Sequence, residues 1–142
     1  MTVKQLSVFV ENRRGRLGEV LAVLKEHGVN ILSMSLADTT EYGLLRLIVS
    51  DPEKGRASLL DAGFSSMVTD VLIIRIPHRA GSLQEILEVV AEREISVEYM
   101  YGLSVGTSDA CVVVKTGNLE SAMAVLTENG ISTLTAEELA AL

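Results

Sequence analysis

The chain repeats itself, and that repeat limits what it can fold into. Shifted by 66 positions, Arg13–Val23 falls on Arg79–Val89 with six identities in eleven: Arg, Gly, Leu, Glu, Leu and Val. The match continues with Ile31 on Val97, Met34 on Met100, Ile48 on Val114 and Leu60 on Leu126, and after one insertion Gly63 falls on Gly130. Two equivalent units in 142 residues make a tandem pair, because a solenoid needs at least three repeats. The expected boundaries are 1–69 and 70–142, joined at Asp70 without a Gly/Ser/Pro linker.

Each unit has the same order of elements. Leu6–Val10 is a short, β-branched apolar run and reads as a strand. Leu17, Val20, Leu21 and Leu24 then follow the spacing of one helix face, as do Leu83, Ile86, Leu87 and Val90. Gly28 supplies a left-handed stop for the first helix; Glu94 stands there in the second, which predicts a different cap. Val29–Leu36 and Leu44–Val49 read as strands joined through 38–43. In the second unit 95–105 and 110–115 are joined through 106–109. Asp51-Pro52 and Asn118 open a second helix in each unit. Closing strands are expected at 64–69 and 131–135, and a short helix over 136–142. The order βαββαβ, twice, predicts an α+β protein of two ferredoxin-like units, with antiparallel sheets and both helices on one face. If Ile31, Ser33 and Ser35 face the helices, then Leu32, Met34 and Leu36 make the other face apolar. Such a face needs a cover, either the sister unit or a second chain.

Composition excludes several functions. Twelve basic against nineteen acidic residues give a net charge of −7, the wrong sign for general nucleic-acid binding. One cysteine, Cys111, rules out an intramolecular disulfide and a cysteine zinc cluster, and it reads as an inert strand residue. The two histidines, His27 and His78, leave little for metal chemistry, and His27 suits the negative end of a helix. Glu11, Glu19, Glu85 and Asp109 are not spaced as a general acid/base pair. No signal-peptide core or membrane-length apolar run appears, so a cytoplasmic protein is expected. No catalytic residue, metal site or cofactor is expected.

The first turn of each unit carries the functional signal. Val8–Leu17, with Asn12-Arg13-Arg14-Gly15-Arg16-Leu17 at its end, resembles the strand–turn–helix signature of ACT domains. His78-Arg79-Ala80-Gly81-Ser82-Leu83 repeats it. Arg14 and Ala80 replace the proline common in that pattern. His27-Gly28-Val29-Asn30-Ile31 is similar to acetolactate synthase small subunits. The resemblance implies a non-catalytic sensor that binds a free amino acid at an interface between units and regulates amino-acid metabolism. A homodimer or larger homo-oligomer and an amino-acid biosynthetic enzyme are the implied protein partners, with no nucleic acid and no membrane. It also implies that the second strand of one unit faces the turn of another, which adds Asn30, Ile31, Leu32 and Ser33, and Glu98, Tyr99, Met100 and Tyr101.

The chemistry is compatible with that reading. A helix N-terminus suits a carboxylate, and the Asn12 side chain or second-strand carbonyls would accept from an ammonium. Plainer readings stand beside it. Arg13, Arg14 and Arg16 are a carboxylate clamp or a solvated basic turn. Gly15 and Gly81 serve a ligand or only the turn. His78 touches ligand or is simply exposed, and Tyr99 and Tyr101 line a pocket or fill a core. The alternative function is an interaction subunit that docks on an enzyme and binds no ligand.

Overall fold

The computed structural model describes residues 2–11, 13–38, 42–105 and 109–141. Contacts divide the chain into two compact units, Lys4–Thr69 and Asp70–Leu142 with Met1–Val3. The elements of the first are β1 (Val3–Glu11), α1 (Arg16–Glu26), β2 (Ile31–Asp38), β3 (Tyr42–Val49) and α2 (Pro52–Asp61). A continuous strand, β4 (Ser66–Ile76), closes the first unit and opens the second. Then come α3 (Ser82–Glu92), β5 (Val97–Val105), β6 (Asp109–Thr116), α4 (Leu119–Glu128) and α5 (Ala136–Ala140). Of the expected joins at 38–43 and 106–109, Asp38, Tyr42, Gly43 and Asp109 belong to the strands, and 39–41 and 106–108 lie outside the described residues.

In the first unit the strand order is β2-β3-β1-β4, and the Phe9 N–H donates to the Ser65 carbonyl at 3.0 Å. Leu6, Val8 and Val10 pair across from Leu47, Leu45 and Gly43, and this face packs on Val20, Leu24 and Leu59 of the helices. Val20 and Leu24 are completely buried, each contributing about 1.5–3 kcal/mol relative to exposure. The second unit repeats the plan with Leu72, Ile74, Val112 and Val114 on Ile86, Val90 and Leu126. Its expected closing strand is reduced to one bridge, Ile74 to Thr133. Two residues on, Thr135 leaves the strand direction to cap α5 in a reciprocal capping box with Glu138.

The caps at Asp51 and Asn118 form as expected: their side chains accept from the N–H groups of Lys54 and Ser121 at 3.1 and 3.0 Å. The repeat alignment needs one correction. Leu6 pairs with Leu47 while Leu72 pairs with Val114, so Leu47 rather than Ile48 is the counterpart of Val114. The extra residue of the second unit therefore falls between Ser104 and Ala110, whose pairing matches that of Asp38 with Gly43. Leu59, buried like Leu126, replaces the exposed Leu60 in the alignment.

The face assignment of β2 also changes. A register shift between Ile31 and Ser33 inserts Leu32 as an extra residue, and a one-residue shift reverses every side chain beyond it. Ser33 and Ser35 consequently pair with Ile48 and Arg46 on the open face. Met34 and Leu36 pair with Leu47 and Leu45 on the helix side, exposed at the sheet edge. The same shift recurs between Val97 and Tyr99, placing Tyr99 and Tyr101 on the open face beside Lys115 and Val113. Both tyrosines are half-buried, and Cys111 lies buried on the same face.

The helix stops bring a third correction. Gly28 has φ of 68°, and Glu94 takes the same left-handed conformation at φ 58°. The Val29 N–H donates to the Leu24 carbonyl and the Ile95 N–H to the Val90 carbonyl, so both helices end alike despite the different residue. A side chain in that region is strained, whereas glycine is not. Glu94→Gly is expected to stabilise the protein by about 0.5–1 kcal/mol, and Gly28→Glu to destabilise it by a similar amount. Chemical denaturation of the two variants checks both signs.

Candidate functional site

The first strand of each unit runs into its helix through a turn held by glycine. Gly15 and Gly81 stand at the N-caps of α1 and α3, both with φ of 85°. A Cβ at either would meet open space, so backbone conformation rather than crowding demands glycine there. Neither helix has a side-chain cap at this end. The N–H groups of its first turn, Leu17 and Gly18 or Leu83 and Gln84, have no intrahelical acceptor and carry the positive end of the helix dipole.

In the second unit this turn borders a groove of about 980 Å³. All six turn residues expected from the sequence, His78, Arg79, Ala80, Gly81, Ser82 and Leu83, line it. So do Gln84, Leu87, Glu88 and Ala91 from the adjoining face of α3, and Ala110 from β6. Sequence reasoning passed over these last residues. Leu87 reads as part of the apolar helix face with Leu83, Ile86 and Val90, and Gln84, Glu88 and Ala91 read as a solvated helix surface.

The turn arginines are largely engaged by neighbours. Arg13 pairs with Glu11 at 2.9 Å, and Arg16 pairs with Glu19. Arg79 donates two hydrogen bonds to Glu85, at 2.9 and 3.3 Å. Arg14 is exposed, as is His78. Asn12 lies outside the described residues, as does the Asp109 side chain. His27 closes α1 with its Nδ1 2.8 Å from the Val23 carbonyl. Glu11, Glu19 and Glu85 thus serve ion pairs. Among the described residues no group of three or more His, Cys, Asp or Glu could hold a metal.

The second-strand residues stand elsewhere. Asn30 and Ile31 border a separate groove of about 380 Å³ at the far end of α1, and the Asn30 carbonyl accepts from the Ser50 N–H at 2.9 Å. Leu32 and Ser33 are half-buried; Glu98 and Met100 are exposed. Within the second unit, Ile76 beside the turn is level with Ala110 and Ser104, while Met100 lies four residues back along β5. That separation is about 13 Å along the strand, plus two strand spacings. Within the second unit the turn and 98–101 are therefore not brought together.

Two sequential βαββαβ units with a glycine-held turn at each first helix define a tandem ferredoxin-like protein. The family model for the ACT domain pair matches residues 1–142, and the chain belongs to that family. ACT domains are regulatory, amino-acid-binding modules. A crystal structure of a Bacteroides thetaiotaomicron protein is similar at a TM-score of 0.93 and 37% identity, covering 100% of this chain and 98% of that one. The ligand-free regulatory subunit of aspartate kinase from Thermus thermophilus gives a TM-score of 0.62 at 13% identity, over 88% of this chain and 91% of that one. The corresponding subunit from Thermus flavus gives 0.61 at 14% identity, over 87% and 88%. The two kinase subunits share the fold. No curated protein sequence matches. Among the described residues no helix is long and apolar enough to cross a membrane.

The exposed ion pairs predict how stability follows pH. The hydrogen bonds and charge of Arg79 hold the Glu85 carboxyl below its ordinary range; Arg75 and the Thr135 N–H do the same for Glu138. A lowered carboxyl pKa stabilises the fold above the unfolded value and loses that contribution as pH falls through the folded one. The melting temperature is expected to drop as pH is lowered from about 6 to about 3, with a shallower slope in Glu138→Gln. Melting curves across that range check it.

Proposed function

We propose that this protein is a non-catalytic cytoplasmic sensor. It binds a free amino acid between the glycine turn of one ACT unit and the second strand of another, and it regulates an enzyme of amino-acid metabolism. The first ACT unit is taken as 1–69 and the second as 70–142. The observation that carries the reading is the turn at 78–83: its left-handed Gly81 sets a helix N-terminus at the edge of a groove of about 980 Å³. That is ample room for an amino acid. Free N–H groups of Leu83 and Gln84 suit its carboxylate. The ammonium would go to second-strand carbonyls, and His78, Leu87 and Glu88 would meet the side chain.

A ligand that bridges two units binds their docked arrangement better than the open one, and that difference in affinity shifts the population. The partners under this reading are a second copy of the chain and the regulated enzyme. An amino acid at 100 times its dissociation constant is expected to add about 2.7 kcal/mol, which raises the melting temperature by roughly 5–10 °C. Thermal unfolding against the twenty amino acids at millimolar concentration measures this. Gly81→Val should abolish the shift measured from its own baseline. A wild-type protein that none of them stabilises would contradict the proposal and favour an interaction subunit that docks without ligand.

A further inference from the structure

The two units differ on the strands beside their turns. In the first unit Leu36 of β2 pairs across from Leu45 of β3, and Gly43 stands two residues away along β3, across from Val10. A long side chain on one strand can reach the diagonal neighbour on the next. Leu36 makes that reach: its Cδ1 lies 3.1 Å from the place a Gly43 Cβ would occupy. It therefore covers the floor beside the end of β1 that leads to Gly15.

In the second unit Gly102 stands at the position of Leu36 and Ala110 at that of Gly43. Gly102 pairs across from Val112, and Ala110 from Ile76. The two pairs are exchanged as sets. An alanine at 43 would crowd Leu36, whereas Ala110 has a glycine diagonal to it and Gly102 brings no side chain over it. A Cβ at Gly102 would meet open space. Ala110 is half-buried and lines the groove of about 980 Å³ beside the Gly81 turn, with Ile76 of β4 and Leu83, Leu87 and Ala91 of α3.

We propose that the second unit holds the single amino-acid site of the chain, kept open by Gly102, and that this site takes an amino acid with an apolar side chain. Leu36 closes the equivalent place in the first unit. The inference rests on the amino-acid reading above and adds which turn binds and which class of side chain it accepts. Ile76, Leu83, Leu87, Ala91 and Ala110 offer no polar side-chain atom, so a charged side chain laid on them would lose hydration without a partner. The charged residues that border the groove are exposed and engaged: Arg79 donates to Glu85, and Glu88 accepts from the Gln84 side chain at 3.1 Å.

Calorimetric titration of the whole chain with leucine, methionine and phenylalanine, and with glutamate and lysine for comparison, tests this. Backbone amide shifts locate the site. At least one apolar amino acid is expected to bind once per chain and to move Leu83 and Gln84 while Leu17 and Gly18 stay fixed. Glutamate and lysine are expected to be at least about tenfold weaker. Gly102→Leu places a side chain in an extended strand with room for it, so the melting temperature without ligand should hold or rise. The same variant should weaken the apolar ligand by at least about tenfold. Leu36→Gly with Gly43→Ala copies the corner of the second unit and should raise the stoichiometry to two. Binding that Gly102→Leu leaves unchanged, shifts at Leu17 and Gly18 in the wild type, a double variant that still takes one ligand, or a preference for glutamate or lysine would each overturn the inference and leave an amino-acid sensor standing. Absence of binding by all three apolar amino acids at millimolar concentration would also overturn it, and absence of binding by any of the twenty would overturn the sensor reading as well.

Discussion

The left-handed backbone at Gly15 and Gly81 is the constraint on which both units depend. At that residue an extended strand must stop and a helix must begin within one turn, at a dihedral angle that costs a side-chain-bearing residue about 1–2 kcal/mol. Once the turn is set, Val20 and Leu24, or Ile86 and Val90, fall on the sheet and the core closes. The same turn leaves the first-turn N–H groups unfilled, because glycine has no side chain to cap them. Folding and the proposed ligand chemistry therefore share one requirement.

Duplication has also freed the two copies to differ. Arg16, Phe64 and Glu19 form a self-contained stack in the first unit, whereas in the second Ser82 and Ile131 replace the first two and Glu85 is held by Arg79 instead. The second unit also carries Tyr99 and Tyr101 where the first has Ser33 and Ser35, now on the open face. These replacements, set on one backbone plan, are where the units can specialise.

Much of the fold was legible because it rests on local chemistry. The helix faces, the Asp51 and Asn118 caps and the short helix after Thr135 all follow from residue type and spacing. What escaped depends on pairing across strands. Leu32 looks like any other residue of an alternating strand, yet the bulge there turns Met34 and Leu36 to the opposite face. Glu94 adopts a glycine's conformation because the chain on either side, at Val90 and Ile95, fixes it. The extra residue of the second unit was misplaced because Val, Ile and Leu in these strands align equally well one position apart. For the site, the turn itself was visible twice. The wall built by Gln84, Leu87 and Glu88 emerges only when α3 is set against β6 at Ala110.

The central claim is that the glycine-held turn is a ligand cradle. The most direct test is to follow backbone amide resonances of the labelled protein while each amino acid is titrated in turn. The account predicts saturating shifts at Leu83 and Gln84, or at Leu17 and Gly18, for one chemical group of amino acids. Resonances that stay fixed at both turns throughout, or that move only at residues remote from them, would contradict it.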